Sequence, residues 1–285
     1  RLAWGWAPSA SFVLLEWYGP SVAGFVSVSP RHASLIAVTT AALLAPAAGV
    51  GAQEEAVSEA PLPQRVLFIG NSHTDRNGGL DRAIENFVAT EDPPRAFDGE
   101  RVTEGGVTLE YHWQNGARKA IRDGDFDAVV LQGYLPGAET RNAEPFLENA
   151  RLFDEVIGET GAETVFFMTW PRGFNDWSDY DDVADAHRIV EAELGARVAP
   201  AALAFELARV ERPDLELMDA DQIHATWEGA YLAAATVYAT LFDRSPEGLP
   251  YAFGVDPEDA AFMQRIAWQA VNDWRDGAPE DEAAT

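Results

Sequence analysis

The stretch Arg65–Gly70 reads RVLFIG and is followed at once by Asn71-Ser72-His73-Thr74. A short, continuous apolar run of this kind is typical of a strand that is buried on both faces, as in a parallel sheet. A polar loop with glycines comes next, and residues 80–89 then place apolar side chains at a helical spacing. This order of strand, loop and helix predicts the start of a β–α–β unit, with Ser72 at the carboxyl end of the strand.

The same alternation continues along the chain. Further apolar runs predict strands at 126–132 (FDAVVLQ), 164–170 (TVFFMTW) and 196–198. Helical spacing predicts helices at 80–89, 109–121, 144–158, 181–194, 203–209, 226–242 and 257–274. Strands that alternate with helices indicate an α/β fold, with one mostly parallel sheet covered on both faces. Ligand sites in such sheets form just beyond the carboxyl ends of the strands.

Composition excludes several classes of function. The chain has 47 acidic and 20 basic residues, a formal net charge of −27, and no cysteine. Such an acidic surface repels phosphate backbones and anionic lipids, so we expect no nucleic-acid partner. Without cysteine the chain forms no disulfides, thiolate metal sites or cysteine nucleophile. Asp123, Asp125 and Asp127 alternate without an EF-hand loop, which favours a solvated turn, and no nucleotide-binding glycine motif is present. The sequence therefore predicts no metal and no cofactor.

Residues 33–52 have the composition of a secretory signal peptide. They read ASLIAVTTAALLAPAAGVGA, and Arg31 precedes them. A basic start, an apolar middle and small residues at the end are typical of such signals. A retained membrane anchor and a buried helix are the alternatives, and the interruption at Pro46 disfavours the anchor. We therefore expect a secreted or periplasmic protein with no stable membrane anchor after cleavage.

These patterns divide the chain into four parts. The predicted parts are an N-terminal extension and signal peptide outside the fold (1–52), a linker (53–64), the α/β domain (65–276) and an acidic tail (277–285).

Two segments carry the residue types of a serine hydrolase. Ser72 follows the first strand, close to a helix start, where backbone N–H groups and the helix dipole stabilise negative charge. Near the other end, the segment Asp221-Gln222-Ile223-His224 comes directly before the long predicted helix. Each segment alone is equally typical of a turn or a helix cap. Together they supply a nucleophile, a base and an orienting carboxylate, so we predict a Ser72–His224–Asp221 triad.

Together the two segments resemble the SGNH (GDSL-type) hydrolases, and the resemblance covers residues 65–245. Gly70-Asn71-Ser72 resembles the first block of that family, with Asn71 where an aspartate is usual, and Asp221–His224 resembles its last block. The resemblance implies a single three-layer α/β/α domain with a flavodoxin-like sheet and a serine esterase activity. The lipase pattern G-x-S-x-G is absent around Ser72, so the α/β-hydrolase signature is missing.

The resemblance also implies an oxyanion hole. Gly105-Gly106-Val107-Thr108 resembles the second block, whose glycine, matched here to Gly106, supplies an N–H group. The third block is usually Gly-x-Asn-Asp, but here the strand ends in Leu131-Gln132-Gly133. Gln132 carries the same amide on a longer arm, so we expect the hole to comprise the Ser72 and Gly106 N–H groups and the Gln132 side chain. A buried structural glutamine is the alternative.

The substrate contacts are less sharply indicated. Asn71, His73 and Trp170 are candidates for contacting the substrate, Trp170 by stacking on a sugar, and packing roles are the alternative for each. The predicted function is hydrolysis of small acyl (acetyl-type) esters, with a small-molecule or glycan ester as the partner and carbohydrate esters among the candidates. A non-catalytic SGNH-like protein that binds a glycan or a partner, and a long-chain lipase or thioesterase, are the rival interpretations.

Overall fold

The computed structural model describes residues 62–133, 142–171, 180–251 and 253–277. The strands in these ranges are β1 (Arg65–Gly70), β2 (Asp98–Thr103), β3 (Ala128–Leu131), β4 (Glu163–Phe167) and β5 (Arg197–Ala199). The helices are α1 (Ser72–Asp75), α2 (Leu80–Ala89), α3 (Leu109–Gln114), α4 (Ala117–Gly124), α5 (Glu144–Thr160), α6 (Tyr180–Leu194), α7 (Ala201–Glu211), α8 (Trp227–Phe242) and α9 (Pro257–Asp276).

The strands form one parallel sheet in the order β2-β1-β3-β4-β5. The chain leaves β1 to one side to make β2 and then crosses to the other side to make β3, so the strand order reverses at β1. This is the flavodoxin-like order, and its switch point lies at the carboxyl ends of β1 and β3. The predicted fold class is confirmed.

Successive residues of β1 explain the three layers. Val66 and Phe68 pack into one core cluster with α2, α7, α8 and α9, whereas Leu67 and Ile69 pack into a second cluster with α3, α4, α5 and α6. Alternate side chains of a strand point to opposite faces, so a fully apolar strand requires cover on both. Helix α8 is apolar around most of its circumference and lies buried against the sheet.

The structure differs from the predicted elements chiefly in three places, the first being the short helix α1, which lies in the predicted polar loop after the first strand. Strand β2 was not predicted, because its sequence DGERVT is polar and the strand lies half-exposed at the edge of the sheet. The single helix predicted at 109–121 is two helices, because Gly116 adopts φ of 104° between them. A right-handed helix cannot continue through that conformation, which suits glycine.

The predicted signal peptide, most of the linker and the acidic tail after Gly277 lie outside the described residues. Among the helices that are described, none is long and apolar enough to cross a membrane.

Candidate active site

Ser72 is the first residue of α1, directly beyond the end of β1. The turn into α1 is closed by Asn71, whose side-chain oxygen accepts a hydrogen bond from the backbone N–H of His73 at 3.1 Å. A side chain at Gly70 would overlap Thr74 Oγ1 and Gln132 Oε1, so the strand must end in glycine for the chain to turn here. The sequence thus places the Ser72 hydroxyl at the switch point of the sheet.

His224 and Asp221 are held together by a tight turn before α8. Asp221 Oδ1 accepts hydrogen bonds from the backbone N–H groups of Ile223 and His224, both at 2.9 Å, and Gln222 adopts φ of 56°. An aspartate that bonds to N–H groups two and three residues ahead forms an Asx-type turn. The turn leaves the other oxygen, Oδ2, 2.7 Å from His224 Nδ1.

The structure brings all three predicted triad residues together. His224 Nε2 lies 2.8 Å from Ser72 Oγ, although 152 positions separate the two residues. Hydrogen bonds from the His224 ring, and then from the His224 and Ile223 backbone, hold the pKa of the Asp221 carboxyl well below its usual range. The ionised Asp221 therefore requires a proton on Nδ1, which leaves Nε2 as an acceptor for the Ser72 hydroxyl.

Arg76 and Asn77, the two residues after α1, connect the segment that carries Ser72 to the loop at 219–226, which carries His224. The side-chain amide of Asn77 donates to the backbone oxygens of Ala225 at 2.9 Å and Thr226 at 3.0 Å. The Arg76 guanidinium lies 3.4 Å from Asp219 Oδ2 and 3.7 Å from Asp221 Oδ2. These contacts maintain the distance between Ser72 and His224, and sequence reasoning did not single out either residue.

Gly106 lies beside this chain of hydrogen bonds, in the turn after β2. It adopts φ of 72° and, with Ser72 and His224, lines the open groove over the site. Within the part of the chain that the structure describes, the backbone N–H groups of Ser72 and Gly106 have no hydrogen-bond partner. Unpaired N–H groups beside a nucleophile are what an oxyanion hole requires.

Several solved structures share this architecture. A protein from Slackia heliotrinireducens that is provisionally assigned to the SGNH hydrolases is 24% identical, with a TM-score of 0.53 over 62% of this chain and 98% of its own. A DUF4886 family protein from Bacteroides uniformis is 19% identical, with a TM-score of 0.61 over 78% of this chain and 99% of its own. The acetyl xylan esterase AlAXEase is 15% identical, with a TM-score of 0.52 over 61% of this chain and 98% of its own.

The chain has the SGNH hydrolase fold. No protein-family model and no curated protein sequence matches it. The likeness is therefore one of backbone, and the roles of individual residues must be argued from their geometry.

Gln132 occupies a different position in this SGNH fold from the one expected for an oxyanion donor. Its side chain is 1% exposed. Oε1 accepts hydrogen bonds from the Asn71 backbone N–H at 2.8 Å and Thr74 Oγ1 at 3.2 Å, and Nε2 donates to Gly133 O at 2.9 Å. The amide oxygen thus points towards the turn at Asn71 and Thr74. Gln132 lines neither of the two cavities beside Ser72 that are described below. This geometry favours the structural alternative, in which Gln132 supports the turn that carries Ser72, over the expected donor role.

Most of the residues predicted to contact the substrate make packing contacts and hydrogen bonds within the fold. Asn71 is buried, and its Nδ2 donates to Val107 O at 3.1 Å. The Trp170 ring is 5% exposed, stacks on Phe205 at 4.0 Å between ring centroids, and donates from Nε1 to Ile223 O at 3.0 Å. Trp170 therefore supports the backbone of the loop that carries His224. His73 is half-buried, with its ring centroid 5.6 Å from that of His224.

Two cavities of very different size meet at Ser72 in this fold. An open groove of about 440 Å³ is lined by Asn71, Ser72, His73, Arg76, Gly105, Gly106, Ile223 and His224. A narrow cavity of about 20 Å³ is lined by Ser72, His73, Arg76, Asn77, Gly79, Leu80, Ala83, Trp170, Ala225, Ala230, Ala233 and Phe253. Among the described residues, no group of three or more acidic or histidine side chains is placed to hold a metal ion.

Proposed function

We propose that this protein is a serine ester hydrolase in which Ser72 is the nucleophile, His224 the general base and Asp221 the orienting carboxylate. The observation that carries the proposal is the unbroken chain of hydrogen bonds from Ser72 Oγ through the His224 ring to Asp221, at 2.8 and 2.7 Å. A chain of this geometry next to unpaired backbone N–H groups is suited to acyl transfer.

The proposed reaction has two halves. In the first, Ser72 Oγ attacks the ester carbonyl carbon while His224 Nε2 takes the hydroxyl proton. The carbonyl oxygen becomes an oxyanion that the Ser72 and Gly106 N–H groups stabilise, and the C–O bond then breaks as His224 returns the proton to the departing alcohol. In the second half, His224 takes a proton from water, water attacks the acyl-enzyme, and the acid leaves with Ser72 protonated again.

The sizes of the two cavities support an ester substrate with a short acyl group and a larger alcohol group. His224 must protonate the leaving oxygen, so the alcohol belongs in the cavity that His224 lines, which is the open groove. The acyl group then belongs in the narrow cavity that Ser72 also lines, whose volume of about 20 Å³ has room for little more than a methyl-sized group. This size argues against a long-chain lipase or thioesterase.

An open groove of about 440 Å³ has room for a sugar ring whose hydroxyl group forms the ester. The structural likeness to a protein named as an acetyl xylan esterase is consistent with such a substrate. We therefore propose acetyl-type esters, carbohydrate esters among them, as the substrate class.

Labelling and turnover together test this function. The purified protein should react once per chain with a fluorophosphonate probe and should hydrolyse p-nitrophenyl acetate faster than p-nitrophenyl octanoate. Ser72→Ala should abolish both, because no other hydroxyl is bonded to His224 among the described residues. Ser245→Ala is the matched control and should change neither. A protein that stays unlabelled and inactive while folded would indicate a non-catalytic binding protein instead.

We further propose that the protein acts after export. The apolar stretch at 33–52 supports this, and N-terminal sequencing of the protein secreted by its native host tests it. A soluble active protein that retains Arg1 would refute the proposal.

A further inference from the structure

The wall of the narrow cavity includes the loop residue Phe253. Phe253 lies between α8 and α9, whereas the other lining residues belong to α1, α2, α8 and the segments beside them, apart from Trp170, which follows β4. Its ring covers Gly78, where an added Cβ would come within 3.6 Å of the ring. Phe253 lines the narrow cavity together with Ser72, so its ring bounds the same small space as the nucleophile.

The backbone holds this ring in place at some cost. Phe253 adopts φ of 50°, a left-handed conformation that bulky residues rarely take. Tyr251, two positions before Phe253, is anchored, since the Tyr231 hydroxyl donates to its backbone oxygen at 2.6 Å and the Tyr251 ring meets Phe87 edge-on at 5.0 Å. A strained residue on an anchored loop at the wall of a site suggests a functional constraint rather than a packing accident.

Solvent lies close behind the ring. Phe253 meets Trp227 edge-on, with ring centroids 4.9 Å apart, and Trp227 is 50% exposed. Removal of the Phe253 ring would therefore open the narrow cavity towards the surface along Trp227, and the small side chains of Ala83, Ala230 and Ala233 line the same cavity. An acyl chain longer than acetyl could then pass through this opening.

We propose that Phe253 is the residue that limits the length of the acyl chain. The inference rests on the proposed function, since it assigns the narrow cavity to the acyl group of the ester. A methylene accepted or refused by an apolar pocket changes kcat/KM by ~10-fold or more. The ring therefore sets the preference for acetyl over butyryl and hexanoyl esters, and its removal leaves His224 and Asp221, which do not line this cavity, in place.

The test compares acyl preference in Phe253→Gly, Phe253→Ala and wild type. Glycine accepts a positive φ without penalty, so Phe253→Gly should fold even where Phe253→Ala is less stable. For both variants, the ratio of kcat/KM for p-nitrophenyl butyrate to that for p-nitrophenyl acetate should rise ~10-fold or more. Tyr111→Ala removes another partly exposed aromatic ring that lines neither cavity, so it should leave the ratio unchanged.

Failure of this inference is distinct from failure of the proposed function. An unchanged ratio in a folded Phe253→Gly that still needs Ser72 for turnover would overturn the role of Phe253 alone. A wild type with no Ser72-dependent turnover of any ester would overturn both. A higher ratio would support the assignment if kcat/KM for the acetate ester stays within a few-fold of wild type. General damage to the site would instead lower kcat/KM for every ester equally.

Discussion

The histidine His187 should make the stability of the fold depend on pH, and replacing it should remove that dependence. The ring lies in α6, 1% exposed, against Phe146 and Phe166, with Nδ1 2.9 Å from Val183 O. Nε2 is buried and has no hydrogen-bond partner in the described part of the chain. Burial lowers the pKa of His187 from 6.5 to about 4, and the hydrogen bond to Val183 offsets only part of this effect.

The sign and size follow from proton linkage. Between pH 6.5 and 4 the unfolded chain binds a proton at this histidine and the folded chain does not, so acid favours unfolding. The contribution of His187 to stability is therefore intact above pH 6.5 and is lost as the pH falls towards 4. The gap between the two pKa values amounts to about 3 kcal/mol in all, of which about 2 kcal/mol is lost between pH 7.5 and pH 5.

Urea unfolding of wild type and His187→Gln at several pH values between 5 and 7.5 measures this contribution. The amide of glutamine can donate to Val183 O but does not titrate in this range. The difference in unfolding free energy between the two proteins should shift by about 2 kcal/mol in favour of the variant as the pH falls. The many carboxylates titrate in both proteins and cancel in the difference.

Val190→Ala is the control, since it removes buried apolar volume from the same helix without removing a titratable group. Its stability deficit should be the same at every pH. If the wild-type and His187→Gln curves run parallel, His187 is not a buried neutral histidine and the reasoning is wrong.

Two further predictions concern the site. Asp221→Asn should lower kcat by ~10³–10⁴-fold, because an amide cannot hold the Nδ1 proton in place, whereas Asp219→Asn, on the same loop but without contact to the His224 ring, should change kcat less than tenfold. Steady-state assays on p-nitrophenyl acetate measure both, and equal losses would contradict a specific role for Asp221. Gln132→Ala should lower the free energy of unfolding by about 2–4 kcal/mol, since two buried donors lose their acceptor. Denaturant titration measures this, and a kcat loss above ~100-fold with unchanged stability would restore the oxyanion role for Gln132.

Local sequence signals were sufficient for four of the five strands and for the contact between Asp221 and His224. The apolar run at Arg65–Gly70 specifies a buried strand, and Ser72 follows it at a fixed offset. Asp221 and His224 meet within one turn, so their contact is encoded over four positions. What the sequence did not contain was the distance from Ser72 to His224, which tertiary packing and the Asn77 contacts establish.

Features that depend on side-chain direction or on several elements were missed. Gln132 ends a strand at the expected place, but whether its amide presents oxygen or nitrogen to Ser72 depends on its neighbours, which are the Asn71 N–H and Thr74. The narrow cavity depends on Ala230 and Ala233, which look like ordinary core positions along an apolar helix. Strand β2 was missed because its side chains are polar, so its pairing with β1 has no apolar signal.

The tight turn at Asp221–His224 has a consequence for how such a site can be transplanted. The Asp221 carboxylate accepts hydrogen bonds from the His224 ring and from the backbone N–H groups of its own turn. Asp221 and His224 therefore form one rigid unit. A host scaffold then has to supply a single long-range relationship, the approach of one hydroxyl to one ring nitrogen. A designer who grafts this segment onto another parallel sheet faces a search in one distance and one angle, instead of the joint placement of three independent side chains.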